Sequence, residues 1–183
     1  LFDIGVVNYE EPFTRLQNVG LILAEDGRKM SKRWGNVINP DDIVEKFGAD
    51  SMRIYEMFMG PFNQATAWNT NGLIGARRFV ERVWALREKI VESTDYSLQT
   101  TTRKPHAVVR SPSAVVQLLH QTIKKVTDDI EAMRFNTAIS QLMILTNEMG
   151  GANKLQATSY KLLIQLLSPF APHISEDLWS KLG

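Results

Sequence analysis

Thr70-Asn71-Gly72-Leu73-Ile74-Gly75-Ala76-Arg77-Arg78-Phe79-Val80-Glu81-Arg82-Val83-Trp84-Ala85-Leu86-Arg87-Glu88-Lys89-Ile90-Val91-Glu92 carries Ala76, Phe79, Val83, Leu86 and Ile90 at alternating spacings of three and four. That period predicts a helix from Thr70 to about Glu92 with one apolar stripe, which must pack on something. At about 100° per residue, Arg78, Arg82 and Lys89 fall within an arc of roughly 40°. They are candidates for gripping an RNA backbone. Flanking Glu81, Glu88 and Glu92 fit the plainer alternative of a solvated, partly salt-bridged face that needs no partner.

Toward the C-terminus, residues 93–113 lose the helical period and hold hydroxyl residues and two prolines, which predicts a flexible linker. Three more helical patterns follow. From about Ser113 to Met133 the stripe is Val116, Leu119, Ile123, Val126 and Ile130, with the i,i+4 pairs Lys124–Asp128 and Lys125–Asp129 expected on the outside. Phe135 to Met149 buries Ala138, Leu142, Leu145 and Met149 and stops at Gly150-Gly151. About Gln156 to Leu167 is apolar at Leu162, Leu163, Leu166 and Leu167. Ser168-Pro169 then breaks the chain before Pro172 opens a last helix, with His173 in a structural place in its first turn.

Toward the N-terminus, Asn39-Pro40-Asp41-Asp42 is a helix start, with a capping amide, a proline at the first position and two carboxylates at the positive end of the dipole. Gly48 ends that helix. Another is expected over Ala49 to Met59 with Met52, Tyr55 and Met59 on one stripe, closed by Gly60-Pro61. Residues 4–8 and 19–24 are short apolar or β-branched runs and read as strands. The fold expected is mainly α: an antiparallel helical bundle over residues 70–183, preceded over residues 1–69 by the end of an α/β unit. Both ends of the chain read as cut from something larger.

Composition narrows the function. The 183 residues include 21 basic and 20 acidic side chains, a net charge of only +1, so any contact with RNA must be local and none with DNA is expected. There is no cysteine, and His106, His120 and His173 are too dispersed to form a ligand motif, so no metal site is expected. No apolar run reaches membrane-spanning length and no signal peptide is legible; a cytoplasmic setting without a membrane partner is the expectation.

The chemistry concentrates at Lys29-Met30-Ser31-Lys32-Arg33. Two lysines three apart, bracketed by Gly27 and Gly35, make a hinged cationic loop suited to polyphosphate. If a carboxylate attacked the α-phosphorus of ATP, charge would build on the departing pyrophosphate. Lysines placed there would stabilise the transition state more than the ground state.

Asp26-Gly27-Arg28-Lys29-Met30-Ser31-Lys32-Arg33, then Gly35-Asn36-Val37-Ile38, resembles the Lys-Met-Ser-Lys-Ser loop of class I aminoacyl-tRNA synthetases. Lys46-Phe47-Gly48-Ala49-Asp50-Ser51-Met52-Arg53 is similar to the segment after that loop in the leucyl, isoleucyl, valyl and methionyl subgroup. Residues 55–61, Trp68 and residues 75–84 look most like the leucyl enzymes. Residues 135–139 and 168–174 resemble the helical anticodon-binding domain.

The resemblance implies attachment of leucine to tRNA(Leu) through leucyl-adenylate, with ATP, accompanied by Mg2+, as substrate. It implies that Lys32 contacts the phosphates, that Lys29 and Ser31 shape the loop, and that Lys29, Met30, Ser31 and Lys32 form the ATP-binding segment. Arg33 stands where the motif usually ends in serine. The family's His-Ile-Gly-His element, amino-acid pocket and editing domain are absent from these 183 residues, so the isolated chain should be inert and bind no cofactor alone. The alternatives are a non-catalytic tRNA- or protein-binding helical module, or the matching part of an isoleucyl, valyl or methionyl enzyme.

Overall fold

In the computed structural model, residues 1–91 and 112–182 are described. The predicted linker, residues 93–113, lies outside them except at its C-terminal edge. The elements run β1 (Ile22–Leu23), α1 (Pro40–Phe47), α2 (Ala49–Phe58), β2 (Thr66–Ala67), α3 (Thr70–Ala85), β3 (Ile90–Val91), α4 (Pro112–Glu131), α5 (Phe135–Gly151), β4 (Leu155–Gln156), α6 (Ala157–Leu167) and α7 (Pro172–Lys181). The chain is mainly α, a helical bundle preceded by a segment with little sheet. Among the described residues no helix is long and apolar enough to cross a membrane.

Helix starts and stops follow the local chemistry. Asn39 accepts from Asp41 N at the head of α1, Pro40 sits at its first turn, and Gly48 ends it. Asn69 Oδ1 accepts from Asn71 N and Gly72 N at the head of α3. Ser168 and Pro172 separate α6 from α7. One core runs through the bundle: Leu73, Phe79 and Val83 of α3, Ile139, Leu142 and Leu145 of α5, and Leu163 and Leu167 of α6 are all fully buried. Removing one such side chain to alanine costs about 2–5 kcal/mol in a close-packed interior. Helix α2 joins this core through Ile54 and Tyr55 and packs on α3, α5 and α7. Tyr160 Oη donates to Val83 O at 2.9 Å, tying α6 to the end of α3.

Four expectations need correction. Residues 4–8 form a turn, with Gly5 N to Phe2 O and Val6 N to Leu1 O bonds; Ile4 and Val6 remain exposed, with no partner strand beside them among the described residues. The helix predicted to reach Glu92 stops at Ala85, tightens into a 3₁₀ turn over Leu86–Lys89 and becomes β3, which pairs in parallel with β4 through Ile90↔Leu155 and Val91↔Gln156. On α2 the buried side is Ser51, Ile54 and Tyr55, whereas Met52 and Met59 are only half-buried.

On α4 the buried line is Val115, Leu119, Thr122, Val126 and Asp129, one position away from much of the predicted stripe. Asp129 is therefore not on the outside. Its carboxylate accepts from Lys125 Nζ at 2.7 Å, Arg134 Nε at 2.9 Å and Thr137 Oγ1 at 2.7 Å. Burial alone would lift its pKa, yet these donors outweigh it and hold the carboxyl below the ordinary aspartate value.

Candidate functional site: a cationic loop and a helical face

The loop grows from β1. Strand β1 pairs in parallel with β2, Ile22↔Thr66 and Leu23↔Ala67, and Trp68 N donates to Leu23 O at 2.9 Å. Gly20 is needed just before it: a Cβ there would lie 1.8 Å from Gln64 O. Beyond β1 the chain folds back on itself, with Ala24 N to Arg28 O and a bridge between Leu23 and Lys29. Glu25 Oε1 accepts from Thr70 Oγ1 at 2.8 Å, and Thr70 in turn accepts from Trp68 Nε1. The base of the loop is thus fixed to the first turn of α3, while the side-chain hydrogen bonds of its tip stay within the loop among the described residues.

The tip is built around Asn36. Its side-chain oxygen accepts from Ser31 N at 2.8 Å and its amide donates to Lys29 O at 3.5 Å, closing the segment that holds the motif. Ser31 caps a 3₁₀ turn over Lys32–Trp34 by accepting from Arg33 N, and Gly35 N returns to Lys32 O. Gly27 and Gly35 have φ of 76° and 64°, a left-handed conformation that side-chain-bearing residues rarely adopt. Met30 is the one member of the motif packed against the core.

Lys29 and Lys32 are exposed, and neither forms an ion pair among the described residues. Arg28 differs: it pairs with Asp26 at 2.6 Å, and hydrogen bonds from its side chain and backbone lower the Asp26 pKa. The free charge of the loop is therefore cationic. Trp34 is not the buried loop anchor its type would favour; it is 56% exposed, with the guanidinium carbons of Arg28 and Arg33 each 5.2 Å from its ring centroid.

The second candidate set separates. Arg78 and Arg82 are exposed on α3 without an ion-pair partner among the described residues, while neighbouring Arg77 is bonded to Glu81 at 2.8 Å. Lys89 does not share their arc. Because the helix has already ended, its ammonium turns to the end of α5 and donates to Gly150 O and, at 3.1 Å, to Ala152 O. It neutralises carbonyls that the helix leaves without partners.

Sequence reasoning missed the clamp between α2 and α7. Asp50 accepts from Ile174 N at 2.6 Å, from His173 N at 3.4 Å and from His173 Nδ1 at 2.8 Å. One turn on, Arg53 donates to Phe170 O and Pro169 O. Helix α2, the second helix after the cationic loop, is thereby fastened to the start of α7. The signal was present only indirectly: Ala171 is the N-cap of α7 and has no side-chain oxygen to serve it.

Residues 4–69 match the family described as tRNA synthetases class I (I, L, M and V), and residues 113–183 match the anticodon-binding domain of tRNA ligase. The structure is similar to LeuRS agnB2 of Agrobacterium radiobacter K84, solved as a ternary complex with tRNA and LeuAMS. The identity is 35% and the TM-score 0.77, over 100% of this chain and 24% of that one. It is also similar in fold to Mycobacterium tuberculosis methionyl-tRNA synthetase, solved with methionyl-adenylate, at 14% identity and a TM-score of 0.61 over 85% of this chain and 36% of that one. The chain thus spans about a quarter of the LeuRS it resembles.

Proposed function

Because this chain belongs to the class I aminoacyl-tRNA synthetases, we propose that it is the part of a leucine–tRNA ligase that brings ATP-binding cations to the catalytic centre and a helical surface to tRNA(Leu). The observation that carries the proposal is the closed loop of residues 29–36, whose two lysines are held out in solvent with no carboxylate to neutralise them among the described residues. The likeness to LeuRS at 35% identity supports leucine over the other amino acids of the subgroup.

In the reaction proposed, a leucine carboxylate oxygen attacks the α-phosphorus of ATP. The bond from that phosphorus to the bridging oxygen breaks, and pyrophosphate departs with the electron pair. Lys32, with Lys29 beside it in the loop, offsets the charge gathering on the departing group. No proton transfer is asked of these residues. Mg2+ enters with ATP as part of the substrate; among the described residues no group of three or more His, Asp or Glu gathers to hold an ion.

Closing the loop on ATP and opening it for release draws on the fixed base at Glu25–Thr70 and the two left-handed glycines. Arg78 and Arg82 supply the tRNA-facing charge. Amino-acid-dependent ATP–pyrophosphate exchange by the complete enzyme, run with leucine, isoleucine, valine and methionine, tests the assignment. Exchange with leucine is expected; exchange with another member of the panel and none with leucine would reassign the enzyme. The 183-residue chain alone should show none, because one loop cannot position both reactants.

A further inference from the structure

We propose that Arg33 is a third phosphate-contacting cation of the loop, held in readiness by the face of Trp34. This rests on the adenylate-forming role proposed for the loop. Two guanidiniums lie against Trp34 at the same 5.2 Å, but they are not electrostatically alike. Arg28 is bonded through Nε and Nη2 to Asp26 at 2.8 and 2.6 Å, so its charge is matched. Arg33 is exposed and has no carboxylate partner among the described residues.

Its backbone is fixed as well. Arg33 N donates to Ser31 Oγ at 3.3 Å within the 3₁₀ turn that also carries Lys32, so the two cations are consecutive and their attachment points move together. An indole face restrains a guanidinium by a cation–π attraction of about 0.5–1 kcal/mol at exposed sites, weak enough to be exchanged for a phosphate. The planar fork of an arginine can then give two parallel N–H···O bonds to a phosphate, a geometry no lysine offers. As the bond from the α-phosphorus to the bridging oxygen breaks, the negative charge grows on the β- and γ-phosphates. Lys29 and Lys32 meet it as point charges and Arg33 as a fork.

The test uses the complete enzyme with Arg33→Ser, Arg33→Lys and Trp34→Ala, and Lys32→Ala as the reference for the loop itself. Leucine-dependent ATP–pyrophosphate exchange and the KM for pyrophosphate in adenylate pyrophosphorolysis are measured, with melting temperature as the check on folding. Arg33→Ser is expected to lower the exchange rate on the order of tenfold and raise the pyrophosphate KM, leaving the leucine KM and the melting temperature unchanged. Arg33→Lys should recover part of the loss, and Trp34→Ala should fall between.

If Arg33→Ser behaves as wild type while Lys32→Ala is impaired, the inference is overturned and the function proposed for the loop stands. If Lys32→Ala is also unimpaired, both fall. A loss in Arg33→Ser that comes with a lower melting temperature or an altered leucine KM would mark Arg33 as structural and equally overturn the inference.

Discussion

Asp50→Ala is the substitution whose cost follows most directly from the geometry. Helix α7 begins at Pro172 behind Ala171, which has no side-chain acceptor, so the first amides of α7 rely on a carboxylate 123 and 124 residues away in sequence. The bond to Ile174 N, at 2.6 Å, is short and Asp50 is 7% exposed, whereas the bond to His173 N, at 3.4 Å, is long. Losing a cap costs about 1 kcal/mol, and losing a negative charge at a partly buried helix N-terminus adds up to a similar amount. The His173 ring is 72% exposed and regains water, so its 2.8 Å contact adds little. The sum is about 2 kcal/mol. For a chain of this size that lowers the melting temperature by about 4–8 °C. Asp50→Asn, which keeps one acceptor but loses the charge, should fall by roughly half as much. Thermal unfolding of the two variants followed by circular dichroism reads both values. An Asp50→Ala melting temperature within about 1 °C of wild type would refute the assignment of Asp50 as the cap of α7.

Asp129→Ala should destabilise the chain by about 2 kcal/mol by equilibrium urea unfolding, since a buried carboxylate with three donors is removed while Lys125 and Arg134 can return to water. Its folded pKa is depressed, so its contribution is fully present above the unfolded value of about 3.9 and is lost as pH falls through the lower folded value. The gap between wild type and Asp129→Ala should therefore close on acidification, and a gap independent of pH would contradict this. Arg78→Gln with Arg82→Gln should weaken tRNA binding by the complete enzyme and reduce the slope of log K against log salt by about 1 per arginine that contacts a phosphate. Lys89→Gln should leave that slope unchanged and lower the melting temperature instead, because its ammonium serves the end of α5.

Much of the architecture was legible because its signals are local. Asn39-Pro40, Gly48 and Pro172 are caps and breakers that act within a turn, and the helix ends they set fall within a residue or two of expectation. The cationic loop was legible for the same reason: Gly27, Ser31, Gly35 and Asn36 form its shape among themselves. What could not be read depended on distant partners. Leu86-Arg87-Glu88-Lys89 has ordinary helix propensity, and its end is imposed by β4 and by the carbonyls of Gly150 and Ala152. Asp129 resembles the exposed Asp128 in sequence, yet Arg134 and Thr137 at the start of α5 draw it inside. Asp50 looks like a first-turn acid serving its own helix, and only the tertiary structure shows that it serves α7.

We propose that the charge of the loop, and Lys32 above all, acts on the transition state of adenylate formation. The direct measurement is single-turnover formation of leucyl-adenylate by the complete enzyme, comparing Lys32→Ala with wild type at saturating ATP and leucine. A fall in rate of roughly 100-fold with leucine affinity unchanged is predicted. An unchanged rate, or a loss confined to leucine affinity, would contradict it.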